Sequence, residues 1–434
     1  MTRDSTATDF SIRDDAIGFG DGAGGFPIAN ADRSPGGPFY RMRTDGDAEA
    51  LVVIDLHPDE GDPEFDVSPT TDTFLIREDG VPPARITPVD PARLPELTGA
   101  HEDWPDHPGA VVVPVPGGAS VSYRIVRGDG PALADPRNAD GAGELASLLT
   151  HPDAAREGPG GLDLWSPRPP WEREPSSGLD RVPISVRLDR AVLGRRATIR
   201  LFLPPARHPT VAVSEGISGA QVPERDVLPV VVLLDGDDWR HMYDAPAAFA
   251  AAERAGHLGP HVLVLVPAPA DEGGREAELT GDGIGPALAG PVLDAVDRAM
   301  ADHGLRRART VVAAQSLGGI GAMRATLSGA GGTIDAVVAQ SPSFWWPAPS
   351  GGHPLDGPAG GVTAREIVDS QTDFTARFTV GDREPAMRRH VDAVVEALVR
   401  AGADASCRTV PGGHDHAVWR GALVADVAAA LTSD

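Results

Sequence analysis

From about residue 182 onward the chain alternates near-continuous apolar runs with amphipathic stretches, and this alternation restricts the fold more than any other feature. The runs are VLPVVVLLDG, HVLVLVPAP, RTVVAAQS, DAVVAQSP and ARFTVGD. Such near-continuous Val/Leu/Ala runs are expected of strands covered on both faces. Helical periodicity between them predicts helices over 242–256, 288–303, 318–329 and 386–402, with a last one at 418–432. Strand and helix in turn predict a mostly parallel, doubly wound sheet. Two earlier segments, VPISVRLD and TIRLFLPP, predict an antiparallel pair leading into it.

Upstream the pattern differs. Residues 1–37 are rich in Gly, Asp and Ala, end in the turn cluster SPGGP, and are expected to form a flexible leader. Over 38–128, FYRMRT, ALVVIDLH, DTFLIRED, AVVVPVP and SVSYRIV have strand length and Gly/Pro/Asp turns between them, which predicts a small antiparallel β-sandwich. Pro and Gly density over 129–180 predicts a linker. A length of 434 residues fits this division into two folded parts.

The formal net charge of −25 argues against a nucleic acid or an anionic membrane as partner. The chain has no lysine, so any anion site must be built from arginine, whose planar fork can chelate bidentately. Cys407 is the sole cysteine, which excludes an internal disulfide and cysteine-based zinc sites. The first residues, MTRDSTATDFSIRDD, have no apolar core of signal-peptide length. No later segment reaches about 18 uninterrupted apolar residues. A cytoplasmic location is the expectation; oligomeric state is not legible.

In a doubly wound sheet the ligand lies beyond the carboxyl ends of the strands, so the residues just after each run carry the information. They are DGDDWRH (235–241), the corner AQSLGG around Ser316, SPSFWW (341–346), GDREP (381–385) and PGGHDHAVWR (411–420). Serine, carboxylate and histidine occur in the chain order of the α/β-hydrolase triad. A serine hydroxyl is a weak nucleophile and needs a base within hydrogen-bond reach, and the base needs an acid to fix its tautomer. Ser316 is the expected nucleophile, with Ala314 and Gly318 as the small residues a tight strand–helix turn demands; helix capping is its other possible role. His414, after the paired glycines, is preferred over His416 as base. GDREP offers two acids, Asp382 and Glu384. The amides of Leu317 and of Asp237, after the first parallel strand, are expected to form the oxyanion hole. LLDGDDW lacks the histidine or carboxylate spacing of a metal site, and no metal or cofactor is expected.

With these segments assembled, the chain resembles the enterochelin (ferric enterobactin) esterases, in the esterase D branch of the α/β-hydrolases. The resemblance rests on LLDGDDW (233–239), REAEL (275–279), AAQSLGG (313–319), SPSFWW (341–346), GDREP (381–385) and GGHDHAVWR (412–420). Upstream, DPRNAD (135–140) and SPRPPWEREP (166–175) resemble segments of that family, whereas HEDWPDHPG (101–109) is only a partial counterpart of its D-x-W-R element. The resemblance implies an α/β-hydrolase catalytic domain at 181–434 behind a β-sandwich-like accessory domain. It places the family's nucleophile on Ser316, its base on His414 and its G-x-x-[DE] acid on Glu384, with Asp382 as the alternative. The implied reaction is hydrolysis of a ferric tri-catecholate siderophore ester, iron entering only as part of the substrate.

Such a substrate carries about three negative charges and flat rings, which Arg275, Arg383, Arg388 and Arg420 and the faces of Trp239, Trp345, Trp346 and Trp419 are expected to meet. A feruloyl or acyl-sugar esterase and a non-catalytic siderophore- or glycan-binding protein are the competing expectations.

Overall fold

The computed structural model describes residues 28–29, 39–43, 48–55, 73–77, 83–89, 92, 94–95, 108–115, 117–127, 132–133, 147–151, 153–154, 165, 183–204, 226–241, 243–269, 271–328, 333–350, 353–368 and 372–432. Most of the expected leader and linker, DPRNAD, SPRPPWEREP and residues 101–107 lie outside them. The chain divides into two compact units. One is Met1–Ala155 with Pro411–Val418, the other Arg156–Val410 with Trp419–Asp434.

Among the described residues the first unit holds nine strands: β1 (Ile28–Ala29), β2 (Phe39–Met42), β3 (Ala48–Asp55), β4 (Thr73–Arg77), β5 (Ala84–Pro88), β6 (Pro108–Val115), β7 (Ser120–Arg127), β8 (Ala132–Leu133) and β9 (Ser147–Thr150). They pair antiparallel in the order β1-β2-β3-β6-β5-β4-β7-β8, with β9 also on β7. The ladder is continuous because β5 pairs with β4 through Ala84 to Ile86 and with β6 through Thr87 and Pro88. One strand thus serves both halves of the sheet, and side chains from both halves share a core that includes Val52, Ile54, Leu75, Val113, Val121 and Tyr123. The expected linker needs correction, since β8 and β9 fall inside it. SLLT is too short to show alternation, yet Leu149 is fully buried in that core and the strand pairs along β7 from Ser120 to Tyr123.

Among the described residues of the second unit an eight-stranded sheet is formed by β10 (Ile184–Leu188), β11 (Ala197–Phe202), β12 (Asp226–Leu233), β13 (Val262–Leu265), β14 (Leu305–Gln315), β15 (Ala336–Gln340), β16 (Thr375–Gly381) and β17 (Asp404–Val410). The order is β10-β11-β13-β12-β14-β15-β16-β17. β10, β11 and β13 pair antiparallel, and every pairing from β13 to β17 is parallel. β13 and β15 are buried at every position, as strands covered on both faces must be. Helices relevant to the site are α1 (Gly236–His241), α2 (Ala245–Arg254), α3 (Glu272–Thr280), α4 (Leu293–Ala301), α5 (Gly318–Ser328), α6 (Gly361–Val368), α7 (Pro385–Ala401) and α8 (His416–Thr432). α1, α3 and α6 are short, and α1 and α3 are rich in Gly, Asp or Glu, so periodicity does not reveal them.

The strand order reverses around β12. The chain leaves β12 for β13 on one side, then returns across it to β14 on the other. At such a switch point the connections following the two strands diverge and leave a crevice beyond their carboxyl ends. The loop after β12 and the Ser316 corner after β14 flank this point. Among the described residues, no helix is long and apolar enough to cross a membrane.

Candidate active site

β14 ends at Gln315 and α5 starts at Gly318, so Ser316 and Leu317 make the whole strand-to-helix turn. Ser316 has φ of +52°, in the left-handed region that costs a residue with a Cβ about 1–2 kcal/mol. Its backbone is held on both sides. The amide donates to the Gln340 carbonyl at 3.0 Å, and the carbonyl accepts from Gly319 at 3.1 Å and Ser343 at 2.9 Å. The strained residue is thus held firmly at the carboxyl end of a central strand. The Ser316 hydroxyl lies 3.3 Å from that of Ser343.

The packing explains both the glycines and the alanine. A Cβ on Gly318 would stand 3.2 Å from the Ala314 Cβ, and one on Gly319 would stand 2.4 Å from the Pro342 Cβ. Alanine at 314 is therefore accommodated because position 318 has no side chain. Gly319→Ala is expected to lower unfolding stability by about 2 kcal/mol through overpacking against Pro342, read by urea denaturation.

The loop after β12 is equally constrained. Asp235 has φ of +52°, and a Cβ on Gly236 would meet the Leu265 Cβ at 2.7 Å. Leu234 donates its amide to Ala313 and Gly236 donates to Val266. The Asp235 carboxylate is wholly buried and takes both Nε and Nη2 of Arg275 at 2.7 Å. It also accepts from Gln315 Nε2 at 3.1 Å, while Gln315 Oε1 accepts from Trp239 Nε1 at 2.9 Å. Asp237 is paired with Arg200 at 2.7 Å. Among the described residues, the amides of Leu317 and Asp237 make no backbone hydrogen bond outside helices and strands.

Two further strand ends complete this side of the sheet. Ser341, with φ of +43°, is buried after β15; its hydroxyl donates to Glu384 Oε2 at 2.5 Å and accepts from Trp419 Nε1 at 2.9 Å. Glu384 also accepts the Gly381 amide at 2.9 Å, and it directly precedes α7. Asp382 and Arg383 are exposed. Behind the corner, Asp426 accepts from Thr379, Gln340 and Arg408. Burial pushes its carboxyl up, against the pull of Arg408 and these donors.

His414 and its neighbours lie in the Pro411–Val418 segment, which belongs to the first unit. Gly412 has φ of +122°, and a Cβ there would meet Val418 at 2.4 Å. Asp415 is fully buried and accepts from the Ser122 amide at 2.7 Å, the Ser122 hydroxyl at 2.8 Å and the Ala417 amide at 2.7 Å. It anchors the turn that carries His414. An aspartate just before a helix is an N-cap signal, and that signal could have identified it. His416 is the first residue of α8.

The structure gives the depth and partners of the side chains expected to meet a ligand. Trp239, Trp419 and Arg420 are buried, at 0%, 4% and 4% exposure, and are core side chains. Arg420 stacks 5.9 Å from the Tyr243 ring centroid. Position after a strand end does not specify depth; these residues sit in α1 and α8, and both helices fold them inward. Arg275 is committed to Asp235, and Arg388 to Asp392 and Thr409, each at 2.7 Å. Trp345 and Trp346 are half-buried; the Trp346 ring lies 5.9 Å from the Arg324 guanidinium carbon, and its Nε1 donates to Glu276 at 3.4 Å. Gln315, Ser341 and Ser343 were not anticipated, since nothing in local sequence marks a polar side chain that will be buried between strands. Among the described residues no group of three His, Cys, Asp or Glu side chains could hold a metal ion.

A doubly wound sheet with a left-handed serine at a strand–helix corner on its switch point defines an α/β-hydrolase-like fold. Residues 191–430 match the putative esterase family, and the chain belongs to it. An iron(III) salmochelin esterase of Escherichia coli O6:H1 (strain CFT073) is 29% identical over 245 residues, covering 54% of each chain. An iron(III) enterobactin esterase of Dickeya dadantii (strain 3937) is 32% identical over 220 residues, covering 48% of each. The chain thus spans about half the length of the curated relatives it matches. In fold, the crystal structure of an enterobactin esterase from Shigella flexneri is similar with a TM-score of 0.64 at 20% identity, over 92% of this chain and 98% of that one.

Proposed function

We propose that this chain is a serine esterase that hydrolyses the ester bonds of a ferric catecholate siderophore, releasing iron in the cytoplasm. Ser316 is the nucleophile, His414 the base and Glu384 the acid. The observation that carries the reading is the left-handed Ser316, held between Gln340, Gly319 and Ser343 at the switch point. The match of six separated segments to a family of siderophore esterases supports the substrate class.

The chemistry runs in two halves. Ser316 Oγ attacks the ester carbonyl carbon while His414 accepts its proton. The negative charge that develops on the carbonyl oxygen is met by the amides of Leu317 and Asp237. The intermediate then expels the alcohol, which takes the proton back from His414, and leaves an acyl group on Ser316. Water, deprotonated by the same histidine, releases the acid and restores the serine. Glu384 is preferred to Asp382 because its carboxylate is half-buried and fixed by Ser341 and Gly381, whereas Asp382 is exposed.

One observation favours the second reading, an esterase for a neutral acyl ester of feruloyl or acyl-sugar type. Of the four arginines expected to face an anionic substrate, Arg275 and Arg388 are paired with carboxylates and Arg420 is buried. Incubation with ferric and iron-free catecholate siderophores, cyclic and linear, alongside a small neutral aryl ester, separates the two when products are identified by mass. Siderophore monomers as the main product support the first reading. Cleavage of the neutral ester alone moves the assignment to the second.

A further inference from the structure

We propose that Arg275 is a positioning residue for the oxyanion-binding loop, acting through Asp235 and Gln315, and not a cation for the substrate. The inference rests on the esterase reading above.

Three segments distant in sequence meet in one polar chain. Arg275 of α3 grips both carboxylate oxygens of Asp235, Asp235 accepts from Gln315, and Gln315 accepts from Trp239 of α1. Gln315 immediately precedes the nucleophile, and Asp235 lies two residues before Asp237. The chain therefore ties the segment carrying one proposed oxyanion amide, Asp237, to the segment carrying the other, Leu317. Both ends of this tie are strained, with φ of +52° at Asp235 and at Ser316. Such backbone persists only where its surroundings over-determine it. Here the backbone bonds of Leu234 and Gly236 hold the loop to neighbouring segments, and the Asp235 side chain holds it to the corner.

The same contacts argue against a substrate-binding role. Arg275 uses Nε and Nη2 on a carboxylate that has no exposure to water, so the pair carries no net charge. Drawing the guanidinium toward an anionic ligand would leave Asp235 buried and unpaired, a costly state. What Arg275 supplies instead is a fixed distance between two amides, and oxyanion stabilisation is sensitive to displacements near 1 Å.

The test compares Arg275→Met, Arg275→Lys and the pair Asp235→Asn/Arg275→Met with the parent, all as the full chain. The paired variant leaves no unpaired buried charge, which keeps a folded protein to measure. Steady-state kinetics on a small neutral aryl ester and on a ferric tri-catecholate are read together with amide hydrogen exchange over 234–239 and 315–318. Arg275→Met is expected to lower kcat about a hundredfold on both esters with KM changed less than about threefold. Exchange should rise in both segments, and Arg275→Lys should recover part of each effect. A raised KM for the anionic ester alone would restore Arg275 to the substrate site. Parent-like kcat and exchange in the paired variant would also overturn the proposal. A parent protein that cleaves no ester sinks the esterase reading, and exchange still decides the positioning role.

Discussion

Ser316→Ala is expected to lower kcat for ester hydrolysis by at least about ten-thousandfold while leaving substrate binding nearly unchanged. The substitution removes one oxygen and no backbone contact. The left-handed φ and the three backbone hydrogen bonds at the corner do not depend on the hydroxyl. The Ser343 hydroxyl, 3.3 Å from that of Ser316, is buried and sits after a different strand. Initial rates with a chromogenic ester, together with equilibrium titration of the ferric substrate, check both halves. Activity within tenfold of the parent would mean that another residue attacks the ester.

Glu384→Gln is expected to cost about a thousandfold in kcat, and Asp382→Asn less than about threefold. The acid of a triad fixes the tautomer of its histidine and stabilises the imidazolium, and an amide of the same shape cannot do the second. Glu384 has the features this role needs. Oε2 is held by the Ser341 hydroxyl and the Gly381 amide, and Ser341 is itself fixed by the Trp419 indole. Two donors on one oxygen orient the carboxylate. Asp382 is exposed. Parallel kcat measurements on the two variants decide; the opposite ranking would transfer the acid to Asp382. Circular dichroism of Glu384→Gln guards against a folding effect, since the residue adjoins the start of α7.

The Ser316 corner was legible because its requirements are local. A buried run, a serine and two glycines lie within eight residues, and each answers a steric demand of the same turn. Preference for Glu384 needed the family resemblance, since two acids two residues apart look alike in sequence. The depth of Trp239, Trp419 and Arg420 was not legible for a related reason. Trp239, Trp419 and Arg420 stand just beyond strands in sequence, yet the helices that carry them turn those side chains into the core.

What the sequence determined by itself is the parallel sheet, the helices between its strands and the chain order of serine, acid and histidine, all of which follow from periodicities of a few residues. Only tertiary structure decided which charges are spent on the protein itself. Arg275 meets Asp235 across 40 residues and Ser122 meets Asp415 across 293. Such pairings depend on which segments the sheet order brings together, and no local pattern encodes a partner that distant.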